Sequence, residues 1–179
     1  MATDRKFCRF NADPSAPPFA MRSPPEGGMC ISSFVLITER GKPSNVLLGR
    51  LDPSARWDHI GALDRERAER NSRGWMIPAS HLIVGESPQE AAERVLEEQL
   101  EMKGVALSGP RVVSEAYPTT PGGPPHWDIQ FIFRGEAPEV GKAGAWKELK
   151  FVDVPRLPKS EMARRHEDVL ESAGFAFPG

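Results

Sequence analysis

The chemistry this sequence could do is concentrated in its carboxylates between residues 86 and 101. Glu86, Glu90, Glu93, Glu97, Glu98 and Glu101 fall within the run GESPQEAAERVLEEQLEM. Projected on a helix at about 100° per residue, Glu90, Glu93, Glu97 and Glu101 share one side, as a solvated charged face requires. Glu98 falls elsewhere, in the sector of Ala91, Val95, Gln99 and Met102. A carboxylate in a mostly apolar sector asks for a functional reason. His59 follows Asp58, a pairing that tunes a general base or sits in a solvated loop. His81 alternates with Ile83 along an apolar stretch, as a packed histidine does.

The elements that must position these groups are legible around them. Ser87 is a good N-cap, Pro88 suits the first helical position and Glu90 completes a capping box. A helix is expected from there to about Met102, closed by Lys103 near the last carbonyls and by Gly104 in the left-handed conformation. Ala92, Leu96 and Leu100 form its core stripe. A strand from Ala79 to Val84 leads into it.

The stretch from Ser80 to Met102 resembles the Nudix box: Gly, five residues, Glu, seven residues, then Arg-Glu-hydrophobic-any-Glu-Glu-any-Gly-hydrophobic. Glu86, Arg94, Leu96, Glu98 and Met102 match it; Ser80, Val95, Gln99 and Glu101 do not. Trp75, Pro78 and Gly85-Glu86-Ser87-Pro88 look like the family's usual approach to the box. The resemblance covers about residues 29–174.

The resemblance implies a helix that presents carboxylates to magnesium or manganese, which neutralise a diphosphate and activate a water. Such ions demand hard oxygen ligands, and the hydrolysis they assist needs the water's pKa lowered. It implies catalytic roles for Glu98, Glu86 and Arg94, the last two as an ion pair bracing the loop against the helix. Glu98 and the backbone carbonyl of Ser80 are the implied metal ligands. Val95 and Gln99 stand where the family has acids, so two negative charges are missing and metal affinity falls. Glu115, Asp128, Glu136 and Glu139 are candidates to compensate. Arg50 is a candidate for a substrate phosphate, against a surface arginine beside Asp52. Trp127 is a candidate to stack on a base, against a packed aromatic, and His81 a candidate substitute base or ligand.

At 179 residues the chain fits one domain with a sizeable core. A formal charge of −2 gives no electrostatic case for nucleic acid. Two cysteines, Cys8 and Cys30, make no disulfide framework and lack zinc-ligand spacing along the chain. No apolar run reaches the length of a membrane span and the N-terminus lacks a signal segment, so a cytoplasmic protein is expected.

Residues 1–28 are proline-rich and read as an arm, either pinned through Phe7, Phe10 and Phe19 to the domain or a second subunit, or loosely ordered. From residue 29 onward the pattern predicts a hairpin of Cys30–Thr38 and Asn45–Arg50. From Leu51 to Arg73 the pattern is mixed, apolar at Trp57, Ile60 and Leu63 and heavily charged from Asp64 on, and reads as a loop and a short solvated helix. Two strand-like runs flank Gly109-Pro110, and PTTPGGPP forms an irregular loop. A strong strand HWDIQFIFR, a flexible connection from Gly135 to Gly144 and a last strand Lys147–Asp153 come next. A closing helix, capped by Ser160, runs to about Ala173 and holds His166 at the core's edge. The implied fold is an α/β Nudix-like α/β/α sandwich, a mixed sheet between the box helix and the C-terminal helix. Two functions follow from the resemblance: a Nudix-type hydrolase of a nucleoside diphosphate-linked compound with a weakened metal site, or a catalytically silent Nudix-fold module binding a nucleotide-like ligand or a protein partner. A homodimer is a further expectation of the family.

Overall fold

The computed structural model describes residues 9–10, 25–118, 122–141 and 144–179. The expected arm, Phe7 and Phe19 included, and the middle of the PTTPGGPP loop lie largely outside them.

The strand-forming run of β-branched and aliphatic residues after Gly28 becomes β2 (Met29–Glu39), the centre of a mixed sheet. Along one edge it pairs parallel with β6 (Pro125–Ala137), from Met29 opposite Trp127 to Glu39 opposite Ala137. Along the other edge its first half pairs with β4 (Ala79–His81) and its end with β3 (Lys42–Leu51). The hairpin partner β5 (Ser108–Pro118) lies outside β6, and β7 (Trp146–Asp153) outside β3. A two-residue β1 (Arg9–Phe10) pairs with Cys30 and Met29.

Alternation along the strands supplies two apolar faces. Val35, Ile37, Leu47 and Phe133 pack on one side with Ala92, Val95, Leu96 and Leu100 of the box helix. Phe34, Leu36, Val46, Leu48 and Ile132 pack on the other with Val169, Leu170 and Ala173. The sheet is therefore sandwiched as expected. A third cluster of Leu51, Trp57, Met76 and Trp146 closes one end. Its two indoles meet edge to face at 4.8 Å, a favoured aromatic geometry. Gly49 is required there, since a Cβ on it would lie 2.2 Å from the Trp146 ring.

Several elements differ from expectation. The box helix is α-helical only over α3 (Pro88–Arg94), with the capping box in place, and continues as a π-helical turn over Val95–Gln99. The backbone carbonyl of Gln99 accepts from Trp146 Nε1 at 3.0 Å, and Glu101 takes a positive φ of 49°. This end is held by neighbours rather than by a regular ladder running to Met102. The closing helix α4 begins at His166 and ends at Ser172. Ser160 sits in an isolated 3₁₀ turn, because the backbone of Glu161 and Ala163 bonds to Trp75 and so leaves the helical ladder. Arg164 and Arg165 then turn the chain at φ 58° and 57°. The two runs around Gly109-Pro110 are one irregular strand, β5, and β6 continues through Gly135 and Glu136 where a flexible connection was expected. The charged segment Arg65–Asn71 forms α2, capped by Asp64, after a single turn α1 (Trp57–Ile60) that carries His59. No described helix is long and apolar enough to cross a membrane.

Candidate functional site

The strand-to-helix turn is locked by one buried ion pair. Arg94 Nε lies 2.7 Å from Glu86 Oε1, with both side chains nearly enclosed. Glu86 also accepts from the Ile83 amide at 2.8 Å. Arg94 donates further to the Ser80 hydroxyl at 3.2 Å and the His81 carbonyl at 3.0 Å. Burial pushes the Glu86 carboxyl up, but Arg94 and the Ile83 amide outweigh it and hold the group below its ordinary value. All of this geometry braces the loop, with Ser80 as one of its anchors.

The positions expected to carry metal-binding acids are used otherwise. Val95 is buried in the core cluster behind the box helix. Gln99 is fully buried, and its amide nitrogen donates to the carbonyls of Ile60 at 3.0 Å and Ala79 at 2.9 Å. Two carbonyl oxygens that converge on an amide NH₂ are satisfied without a cation. Glu98, half-buried on the same turn, is the acid that remains. A single carboxylate beside an amide and an isopropyl group is a poor donor set for magnesium or manganese, with Gln99 Oε1 buried and making no hydrogen bond among the described residues as the one further oxygen there.

A recess lies on the opposite, α4-covered side of the sheet. It is a cavity of about 610 Å³, within the range usual for small-molecule sites. Cys30, Ser32 and Phe34 of β2, His126, Asp128 and Gln130 of β6, and Glu115 and Tyr117 of β5 line its sheet wall, with His81 of β4 beside them. Arg67 and Arg70 of α2 and Arg164 and Arg165 before α4 supply positive charge around it. Burial, reinforced by the charge of Arg67, lowers Arg164 to about 10. Arg67 Nη1 is buried and makes no hydrogen bond among the described residues. Mutually repelling guanidinium groups with an unused N–H favour an anion between them. Tyr117 donates its hydroxyl to Asp128, and burial together with that carboxylate raises the phenol far above its ordinary value.

The expected site residues are thus divided among three places. Glu86, Arg94 and Ser80 form the loop brace, with Glu98 one turn further on. His81 lines the cavity, as do Glu115 and Asp128, whereas Glu98 does not. Trp127 points to the box-helix face, its Nε1 donating to Ser114 at 2.9 Å. Arg50 lies outside the cavity: it ion-pairs with Glu148 and Glu161 and stacks on Trp75 at 4.4 Å. His166 is enclosed, accepts from the Ile77 amide at 3.0 Å and meets Phe34 edge to face. Burial holds its pKa well below the usual histidine value. Sequence reading alone did not group Arg67, Arg70, Arg164 and Arg165, which come from two segments far apart along the chain.

No family model matches the chain, and no curated protein matches it in sequence. Solved structures do match. The MutT protein of Methanosarcina mazei Go1 is similar with a TM-score of 0.56 and 15% identity, over 86% of this chain and 95% of that one. The chain has the Nudix fold. The Nudix domain of Shewanella oneidensis NrtR, complexed with ADP ribose, gives a TM-score of 0.55 at 14% identity, over 89% of this chain and 92% of its own. The E. coli dihydroneopterin triphosphate pyrophosphohydrolase gives 0.50 at 16% identity, over 79% and 95%. At these identities the Nudix fold is what is shared.

Proposed function

We propose that this chain is a Nudix-fold protein that binds an anionic, nucleoside diphosphate-like ligand and has given up the dication of its box. The observation that carries the loss is Gln99, whose NH₂ group occupies the carbonyls of Ala79 and Ile60. Val95, in the core, removes the second acid. The ligand class is supported by the arginine-lined cavity and its unused Arg67 N–H. It is supported also by the Nudix domain of NrtR, which holds ADP ribose.

The alternative, a hydrolase with a weakened magnesium or manganese site, is favoured by the intact Glu86–Arg94 brace and the retained Glu98. Calorimetric titration with a panel of nucleoside diphosphate compounds, with and without magnesium or manganese, separates the two. Binding at equal affinity with and without metal, and no turnover, is the expected result. Metal-dependent turnover abolished by Glu98→Gln would overturn it in favour of the hydrolase.

A further inference from the structure

Cys30, His126 and Asp128 stand together on two neighbouring strands of the cavity wall. Cys30 lies opposite Asp128 across the parallel β2–β6 ladder, and His126, two residues earlier, faces the same side. One ligand atom from each lies within 4.8 Å of the other two.

The surrounding hydrogen bonds fix the histidine tautomer. His126 Nδ1 is 2.8 Å from the Gly27 carbonyl. A carbonyl only accepts, so Nδ1 carries the hydrogen and Nε2 of the neutral ring presents a lone pair. That lone pair faces Asp128 Oδ1 at 3.1 Å, a second acceptor. A proton or a cation must lie between them. The other carboxylate oxygen accepts from the Tyr117 hydroxyl. A ring N–H held by a backbone carbonyl, and a carboxylate fixed by its own hydrogen bond, are the outer supports that metal-ligating side chains use.

We infer that Cys30, His126 and Asp128 form a transition-metal centre of the zinc class, with its fourth position open to the cavity. Thiolate, imidazole and carboxylate suit zinc and not magnesium. Zinc–ligand bonds of about 2.0–2.3 Å place tetrahedral donor atoms roughly 3.3–3.8 Å apart, so His126 Nε2 and Asp128 Oδ1, at 3.1 Å, need only open slightly, and no donor pair, all within 4.8 Å, has far to move. Thiolate and carboxylate together balance a dication. Arg164 lines the same cavity as all three groups. This centre is separate from the Nudix box, whose acids lie on the other face of the sheet.

Cobalt(II) titration of the reduced, metal-free full-length protein tests it without any nucleotide, so its outcome is independent of the ligand reading. One equivalent should bind with tetrahedral visible bands and a sulfur-to-cobalt charge-transfer band, and zinc should displace it. Cys8 is the only other cysteine. Cys8→Ser should keep the charge-transfer band and Cys30→Ser should lose it. His126→Gln and Asp128→Asn should each weaken cobalt binding at least tenfold, with circular dichroism verifying the fold of every variant. Absence of cobalt uptake by the folded wild-type protein, as when a shared proton joins the imidazole and the carboxylate, overturns the centre. Uptake at full affinity in both the His126→Gln and the Asp128→Asn variants overturns it as well.

Discussion

Gln99 stands where the Nudix box has an acid, and its neutral amide donates to two backbone carbonyls. A glutamate in its place would direct carboxylate oxygens at the carbonyls of Ile60 and Ala79, acceptor against acceptor, and lose two hydrogen bonds inside the fold. Gln99→Glu should therefore lower stability by about 1–3 kcal/mol in the presence of a chelator. Manganese should restore part of it by bridging the acid and the carbonyls, and more so in Val95→Glu with Gln99→Glu. Thermal unfolding with and without manganese measures this; a double variant indifferent to metal would mean that the backbone half of the site is also gone. The Glu86–Arg94 pair behaves differently, because both charges are enclosed. Glu86→Gln leaves Arg94 uncompensated and should cost about 3 kcal/mol. The folded Glu86 pKa lies below its unfolded value, so its contribution is complete above pH ~4.3 and lost as the pH falls further. The variant should flatten that acid limb of a pH–stability curve. The box departures at Val95 and Gln99 were legible in the sequence, but the hydrogen bonds of the Gln99 amide were not, because Ile60 and Ala79 contribute backbone atoms that no side-chain pattern reports.

The elements were read best where their signals are local. Ser87, Pro88 and Glu90 specify the start of α3 through hydrogen bonds within one turn, and the alternating strand β6 needs nothing beyond its own pattern. The closing helix was misplaced because Ser160 looked like a cap while tertiary bonds from Trp75 claim Glu161 and Ala163. The helix starts only after Arg164 and Arg165 reverse the chain. What anchors α4 is His166, an acceptor for the Ile77 amide. Its folded pKa is far below the unfolded value of about 6.5, so unfolding takes up a proton and stability falls as the pH drops below that value. His166→Asn keeps an acceptor near the same place and removes the titration. Chemical denaturation between pH 7.5 and 5 should show a falling midpoint for the wild type and a flatter one for the variant. Parallel slopes would mean that other groups carry the dependence.

At the scale of the whole molecule, the sheet separates two regions that the sequence had joined. Trp127 and the box helix lie on one side; His81, Glu115 and Asp128 lie on the other with the arginine cavity. Alternation along β6 makes that division, since adjacent residues leave a strand in opposite directions. The layer order followed from the box and its flanking strands. The cavity did not, because its lining comes from α2, β2, β5, β6 and the turn before α4, segments far apart along the chain. If the ligand sits among those arginines, its affinity must respond to their charge and ignore the box. Arg67→Ala removes a charge-assisted donor worth about 1.5–3 kcal/mol, which should weaken binding of a nucleoside diphosphate compound by roughly ten- to a hundredfold. Added salt should weaken wild-type binding more than it weakens binding to the variant. Glu98→Gln, at a half-buried box position outside the cavity lining, should leave the affinity unchanged. Calorimetry of the two variants at low and moderate salt reads both effects, and an affinity lowered by Glu98→Gln but not by Arg67→Ala would move the ligand to the box side of the sheet.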